Sequence, residues 1–126
     1  MIDADLWLKY AQADLDTAEY MQTFHRIPIE VCCYHCQQAA EKSLKALLIE
    51  KKVAVPKSHD LVYIYEECVK AGYELKDLRE NLAVITDFAV NFRYPNNVEL
   101  EIKDLNFGVK CAKEIFEICK EIIERK

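Results

Sequence analysis

The residues best suited to chemistry fall in four short groups. Arg93 and Tyr94, directly before Pro95, set a guanidinium able to hold a phosphate through two hydrogen bonds beside a ring able to stack on a base. The structural alternative is that Arg93 caps the last carbonyls of its helix and Tyr94 covers the bundle end. Ser58-His59-Asp60-Leu61 opens a helical pattern, which puts His59 and Asp60 where free backbone N–H groups and the helix dipole favour an anion such as phosphate. On the plainer alternative, His59 hydrogen-bonds across the connection and Asp60 only suits the dipole.

Tyr34, Gln38, Lys42 and Lys45 follow one another at steps of four, four and three, so their polar ends line one face of a helix. Glu41 and Lys45 also form a favourable i,i+4 pair, and a solvated helix face has this same look. Cys33-Tyr34-His35-Cys36 is a CxxC with a histidine inside, which in a turn could begin a zinc or redox site. Here it lies mid-helix, both thiols fall on the apolar stripe, and two further ligands are wanting. The reading is therefore core cysteines, with no metal and no cofactor. A glycine-rich phosphate loop, HExxH and GxSxG are all missing.

The elements that must position these groups are helices. Asp3 can cap a first helix in which Leu8, Ala11, Leu15 and Ala18 make one stripe, ending near Thr23. Pro28 suits the first turn of a second, whose Cys33, Cys36, Ala40, Leu44 and Leu47 form the matching stripe before Lys51. After a loop holding Pro56, Ser58 can cap a short third helix carrying Leu61, Ile64, Tyr65 and Cys68, stopped by Gly72. A fourth carries Leu78, Leu82, Ile85, Ala89 and Phe92 and must end close to Tyr94, because a residue before proline disfavours the helical region. Asn96 or Asn97 starts the next element, and a last helix shows Leu105, Val109, Ala112, Phe116, Cys119 and Ile122 on one face.

Two glycines and three prolines in 126 residues are too few turns for a many-stranded sheet, so the fold class is all-α. Four long helices with one apolar face each are buried most simply as an antiparallel up-and-down four-helix bundle, with the short helix inserted in a connection. Residues 1–126 have room for one domain. A net charge of −5 argues against a broad positive surface for duplex nucleic acid while leaving room for a local basic pocket. No apolar run approaches the roughly 18 residues of a membrane span, and no basic-then-apolar leader opens the chain, which places it in the cytoplasm. The six cysteines sit at helical positions and read as buried thiols. Abundant Glu, Lys and Ile fit a heat-adapted source, so one disulfide stays open.

In order along the chain, Trp7-Leu8 with Ala11 and Asp14-Leu15, then Cys36-Gln37-Gln38-Ala39-Ala40-Glu41-Lys42-Ser43-Leu44-Lys45-Ala46-Leu47-Leu48, then His59-Asp60-Leu61, then Arg93-Tyr94-Pro95 resemble the HEPN family of small helical domains. Each piece is weak alone; the ordered set spans nearly the whole chain. The resemblance implies an up-and-down bundle, usually a homodimer with a groove lined from the ends of its central helices. Activities it implies are metal-independent RNA cleavage, nucleotide binding, and service as the partner or toxin half of a minimal nucleotidyltransferase pair, as in toxin-antitoxin systems.

Cleaving members carry an arginine and a histidine with four to six residues between them, the histidine moving protons while the arginine steadies the phosphate. This chain departs there. Val98, Glu99 and Leu100 occupy those positions after Arg93, and neither Arg26 nor Arg79 has a histidine at that spacing. The expectation is a non-catalytic module holding a nucleotide or RNA phosphate with Arg93, Tyr94, His59, Asp60, Gln38, Lys42 and Lys45, and docking a nucleotidyltransferase. One alternative is a ribonuclease in which His59 approaches Arg93 and replaces the missing base. The other is a pure protein-interaction module.

Overall fold

A computed structural model of the chain describes residues 3–93 and 99–125, with side chains throughout except at 89–93. Its elements are α1 (Ala4–Met21), α2 (Ile29–Glu50), α3 (Leu61–Lys70), α4 (Arg79–Arg93) and α5 (Ile102–Glu124), with no strand among the described residues. The expectations on Tyr94 and on Asn96 or Asn97 lie outside the described residues, as does the side chain of Arg93.

Local chemistry sets the helix ends. The Asp3 carboxylate accepts the Leu6 N–H at 2.9 Å and caps α1, as its place before the apolar stripe predicts. Pro28 stands at the N-cap position of α2, one residue ahead of its expected place in the first turn. The cap of α3 is Asp60, whose Oδ1 accepts from Val62 and Tyr63, rather than Ser58. Ser58 instead accepts the Asp60 N–H at 3.1 Å, so the two residues act in series and the helix starts two residues later than expected. Gly72 ends the α3 turn at φ +109°, a conformation that a Cβ would strain. Glu101 and Asp104 close a reciprocal capping box at the start of α5.

Interhelical bonds give the direction of each helix. Lys113 pairs with Glu19, while Asp5 and Leu8 share a groove with Ile123 and Glu124, so α5 runs antiparallel to α1. Leu61 N–H bonds Thr86 Oγ1 and Arg79 pairs with Glu66, so α3 and α4 are antiparallel. Lys76 reaches Glu114 while Phe88 packs on Gly108, so α4 and α5 are antiparallel too. Helices α1, α2, α4 and α5 form the expected up-and-down bundle, and α3 is the insert between α2 and α4.

Helix α2 packs against all four others. Its stripe was expected on one face, yet Cys32, Cys33, Cys36, Gln37, Ala39, Ala40, Glu41, Ser43, Leu44, Lys45, Ala46, Leu47 and Leu48 are all buried. Small residues explain this, because Ala39, Ala40, Ser43 and Ala46 let neighbouring helices approach closely on several sides. The Ser43 hydroxyl remains satisfied by donating to Ala39 O at 2.8 Å. Gln37, Glu41 and Lys45, the other polar residues among the thirteen, are the ones that build the site.

Candidate functional site

A belt of polar side chains crosses the middle of α2. Its centre is Glu41, whose side chain is only 6% exposed. Oε1 accepts from Gln37 Nε2 at 3.0 Å and from His59 Nδ1 at 2.9 Å, and Oε2 accepts from Lys45 Nζ at 2.9 Å. Burial pushes this carboxyl up, but the bonds from Lys45, His59 and Gln37 outweigh it and hold the group below its ordinary value. Glu41 therefore stays an anion, and an ionised carboxylate only accepts, so the Nδ1 of His59 carries the proton in this bond.

His59 is thus tied down at one nitrogen while 56% of its side chain is open to solvent. Gln37 fixes it a second time by donating to its carbonyl at 3.2 Å, and Gln38 donates in turn to Gln37 Oε1 at 2.8 Å. Two residues on, the bond from Leu61 N–H to Thr86 Oγ1 at 3.1 Å ties this segment to α4. Arg93, the last residue of α4, lies seven residues past Thr86, which is two turns or about 10 Å along the helix.

A second cluster lies on the α1 side of the belt. Asp14 accepts from His35 Nδ1 at 2.9 Å through one oxygen and from Lys42 Nζ at 2.6 Å through the other. His35 accordingly turns away from the thiols of Cys33 and Cys36, and its ring meets Tyr34 edge-on at 5.7 Å. All six cysteines are buried and free. Desolvation pushes Cys33 and Cys68 up to about 12 and raises Cys32, Cys36, Cys111 and Cys119 as well, so none is a ready nucleophile. Among the described residues no three His, Cys, Asp or Glu converge as a metal site.

The predicted residues are therefore divided. His59, Gln38 and Lys45 belong to the Glu41 network, with Lys45 buried beside its partner rather than on a solvated face. Lys42 sits apart, neutralised by Asp14. Asp60 spends its carboxylate on the cap of α3. Sequence reasoning missed Glu41 and Gln37 as members of the site, although Gln37-x-x-x-Glu41-x-x-x-Lys45 at steps of four was the signal that could have found them.

The HEPN domain model matches residues 4–122. The chain belongs to the HEPN family. The crystal structure of an archaeal HEPN homologue is similar to this HEPN chain with a TM-score of 0.75 at 21% identity, covering 98% of this chain and 99% of that one. A crystal structure of a Thermus thermophilus protein is similar with a TM-score of 0.81 at 21% identity, covering 96% and 98%. A search of curated proteins finds no match. At such identity the two structures speak for the HEPN fold alone, and no described helix is long and apolar enough to cross a membrane.

Proposed function

We propose that residues 1–126 act as one HEPN domain, a non-catalytic module that binds a nucleotide or RNA phosphate between His59 and the carboxy-terminal end of α4. The observation that carries this is the Glu41–His59 pair. A buried carboxylate fixes an imidazole by one nitrogen and leaves its other side to solvent, on a segment bonded to the helix that ends in Arg93. Lys42 and Lys45 already face carboxylates, so the charge that meets the phosphate falls to Arg93, with Tyr94 beside it for stacking. Calorimetry with ATP and with a short single-stranded RNA tests the reading. Binding that weakens about tenfold or more in Arg93→Ala and in His59→Ala is expected. Absent binding, or equal binding in all three proteins, overturns it.

The domain's place in the cell follows the same reading: a cytoplasmic homodimer paired with a minimal nucleotidyltransferase in a toxin-antitoxin-like unit. Sedimentation of the purified chain giving only monomer at low micromolar concentration counts against the dimer. Failure of a nucleotidyltransferase encoded beside it to co-purify counts against the pair.

The same pair supports a second reading, metal-independent RNA cleavage. With Nδ1–H on Glu41, neutral His59 presents a lone pair at Nε2 that can take the proton of a ribose 2′-hydroxyl. The 2′-oxygen then bonds to phosphorus as the P–O5′ bond breaks, and the 5′-oxygen leaves as a hydroxyl by taking a proton from solvent, giving a cyclic phosphate end. Cleavage of a mixed RNA by wild type and not by His59→Ala favours this reading; no cleavage by either removes it.

A further inference from the structure

Taking the phosphate reading of the site as its ground, we propose that binding of a phosphodiester beside His59 takes up a proton on the imidazole, so that the site holds its ligand in mild acid and releases it as the pH rises. The bond to Glu41 engages Nδ1 at 2.9 Å, which leaves Nε2 as the second nitrogen of a side chain that is 56% exposed. In the neutral ring Nε2 carries a lone pair; in the cation it carries a proton. A phosphodiester presents only oxygen acceptors and a negative charge, so the lone pair repels it and the N–H donates to it. Phosphate therefore selects the cation, and a ligand that prefers one protonation state draws the protein toward that state.

Lys45 sets the balance of charge. Glu41 and Lys45 are 6% and 8% exposed and meet at 2.9 Å, so the carboxylate already has a buried counter-ion before His59 is charged. A proton on His59 takes the three groups from neutral to a single positive charge, and the phosphate restores the balance. The proton goes to the imidazole because the carboxyl, although burial pushes it up, is held below its ordinary value by the bonds from Lys45, His59 and Gln37. Gln37 and Thr86, which tie this segment to α2 and α4, are uncharged. Lys57 and Asp60 flank His59 in sequence, and Asp60 turns its carboxylate to the Val62 and Tyr63 N–H groups. On α4 the nearby charged residues are Asp87, next to Thr86, and Arg93. Of these residue types, histidine is the one that changes charge between pH 5 and 8.

Calorimetry of the full chain with 2′-O-methyl oligouridylate reads the linkage, since its phosphodiesters and uracils keep their charge from pH 6 to 8 and its blocked 2′-oxygen prevents cleavage. Binding is expected to be about tenfold tighter at pH 6 than at pH 8, and at pH 7 the heat should differ between buffers of low and high ionisation enthalpy in the sense of proton uptake. His59→Gln keeps every other titrating group, and its weaker binding should change by less than about threefold over the same range, with equal heats in both buffers. Circular dichroism checks that the variant keeps its helices. Nitrogen-15 NMR follows the proton in the wild-type chain itself: at pH 7.5 the oligonucleotide should move the His59 Nε2 signal toward the protonated position. Binding with equal affinity at both pH values and an unmoved Nε2 signal overturns the proton linkage and leaves the phosphate reading standing. Equal pH and buffer dependence in His59→Gln assigns the proton to another group and overturns it too. Absence of binding at every pH removes the phosphate reading and the linkage together.

Discussion

His59 Nδ1 lies 2.9 Å from Glu41 Oε1, joining the connection before α3 to the middle of α2 across 18 residues of sequence. The same carboxylate holds the buried ammonium of Lys45 and the amide of Gln37. One side chain thus serves as counter-ion within the bundle and as anchor for an exposed imidazole, so stability and site geometry are coupled.

Glu41→Ala is expected to cost about 3 kcal/mol, because it strands Lys45 as an unpaired charge in a buried setting. Urea denaturation measures the loss. A Glu41→Ala/Lys45→Met double variant, which removes both charges, should recover much of it; a double variant as unstable as the single one would contradict this account.

Acid should act on the same residue. The folded Glu41 carboxyl lies below its ordinary value of 4.5, so its contribution is fully present above pH 4.5 and is lost as the pH falls from there through the folded value. Urea midpoints measured across this acid window should decline more steeply for wild type than for Glu41→Gln. Parallel slopes would show that some other group carries the acid sensitivity.

Gly108 is where α5 meets α4 and α2. A Cβ built there would lie 2.9 Å from Phe88 Cε2 and 3.7 Å from Cys36 Cβ. Replacing glycine by alanine in a helix gains about 1 kcal/mol, while overpacking a core costs about 1 to 3. Phe88 is itself buried and has little room to yield, so Gly108→Ala should lose stability by about 1 kcal/mol and Gly108→Leu by more. Thermal unfolding ranks the three proteins, and a stabilised Gly108→Leu would show the contact to be loose.

Thiol chemistry should report on the core. All six cysteines are buried, and desolvation raises Cys33 and Cys68 to about 12. Ellman's reagent at pH 8 is expected to leave the native protein essentially unlabelled and to modify all six thiols in guanidinium. Rapid labelling of one or two thiols in the native state would place them on an opening segment.

The α3 cap gives a smaller effect. Asp60→Ala removes the acceptor for Val62 and Tyr63 and should cost about 1 kcal/mol, with Asp60→Asn close to wild type. Equal losses in both variants would assign the effect to charge rather than to the hydrogen bonds.

Much of this molecule was legible in its residues. Periodicity put Leu8, Ala11, Leu15 and Ala18 on one face, and all four are buried. Asp3 and Gly72 marked helix ends because caps and left-handed turns depend on one or two neighbouring residues. The ordered motif from Trp7 to Pro95 pointed to the HEPN family, to which the chain belongs. These signals are local or additive along the chain, which is why sequence carries them.

Tertiary structure decided the rest. Lys45 meets Glu41 within α2 at the i,i+4 spacing already legible in the sequence, whereas only the packing of α1 against α2 gives Lys42 to Asp14, and only burial takes the Lys45 pair out of solvent. His35 and His59 each found a carboxylate from a different helix or connection, partners 21 and 18 residues away. Spacing determines which face a side chain occupies, but the charge it meets there comes from a distant segment brought near by burial of the apolar stripes. Sequence alone therefore determined the helices and their core, while the pairing of polar groups between them waited on the fold.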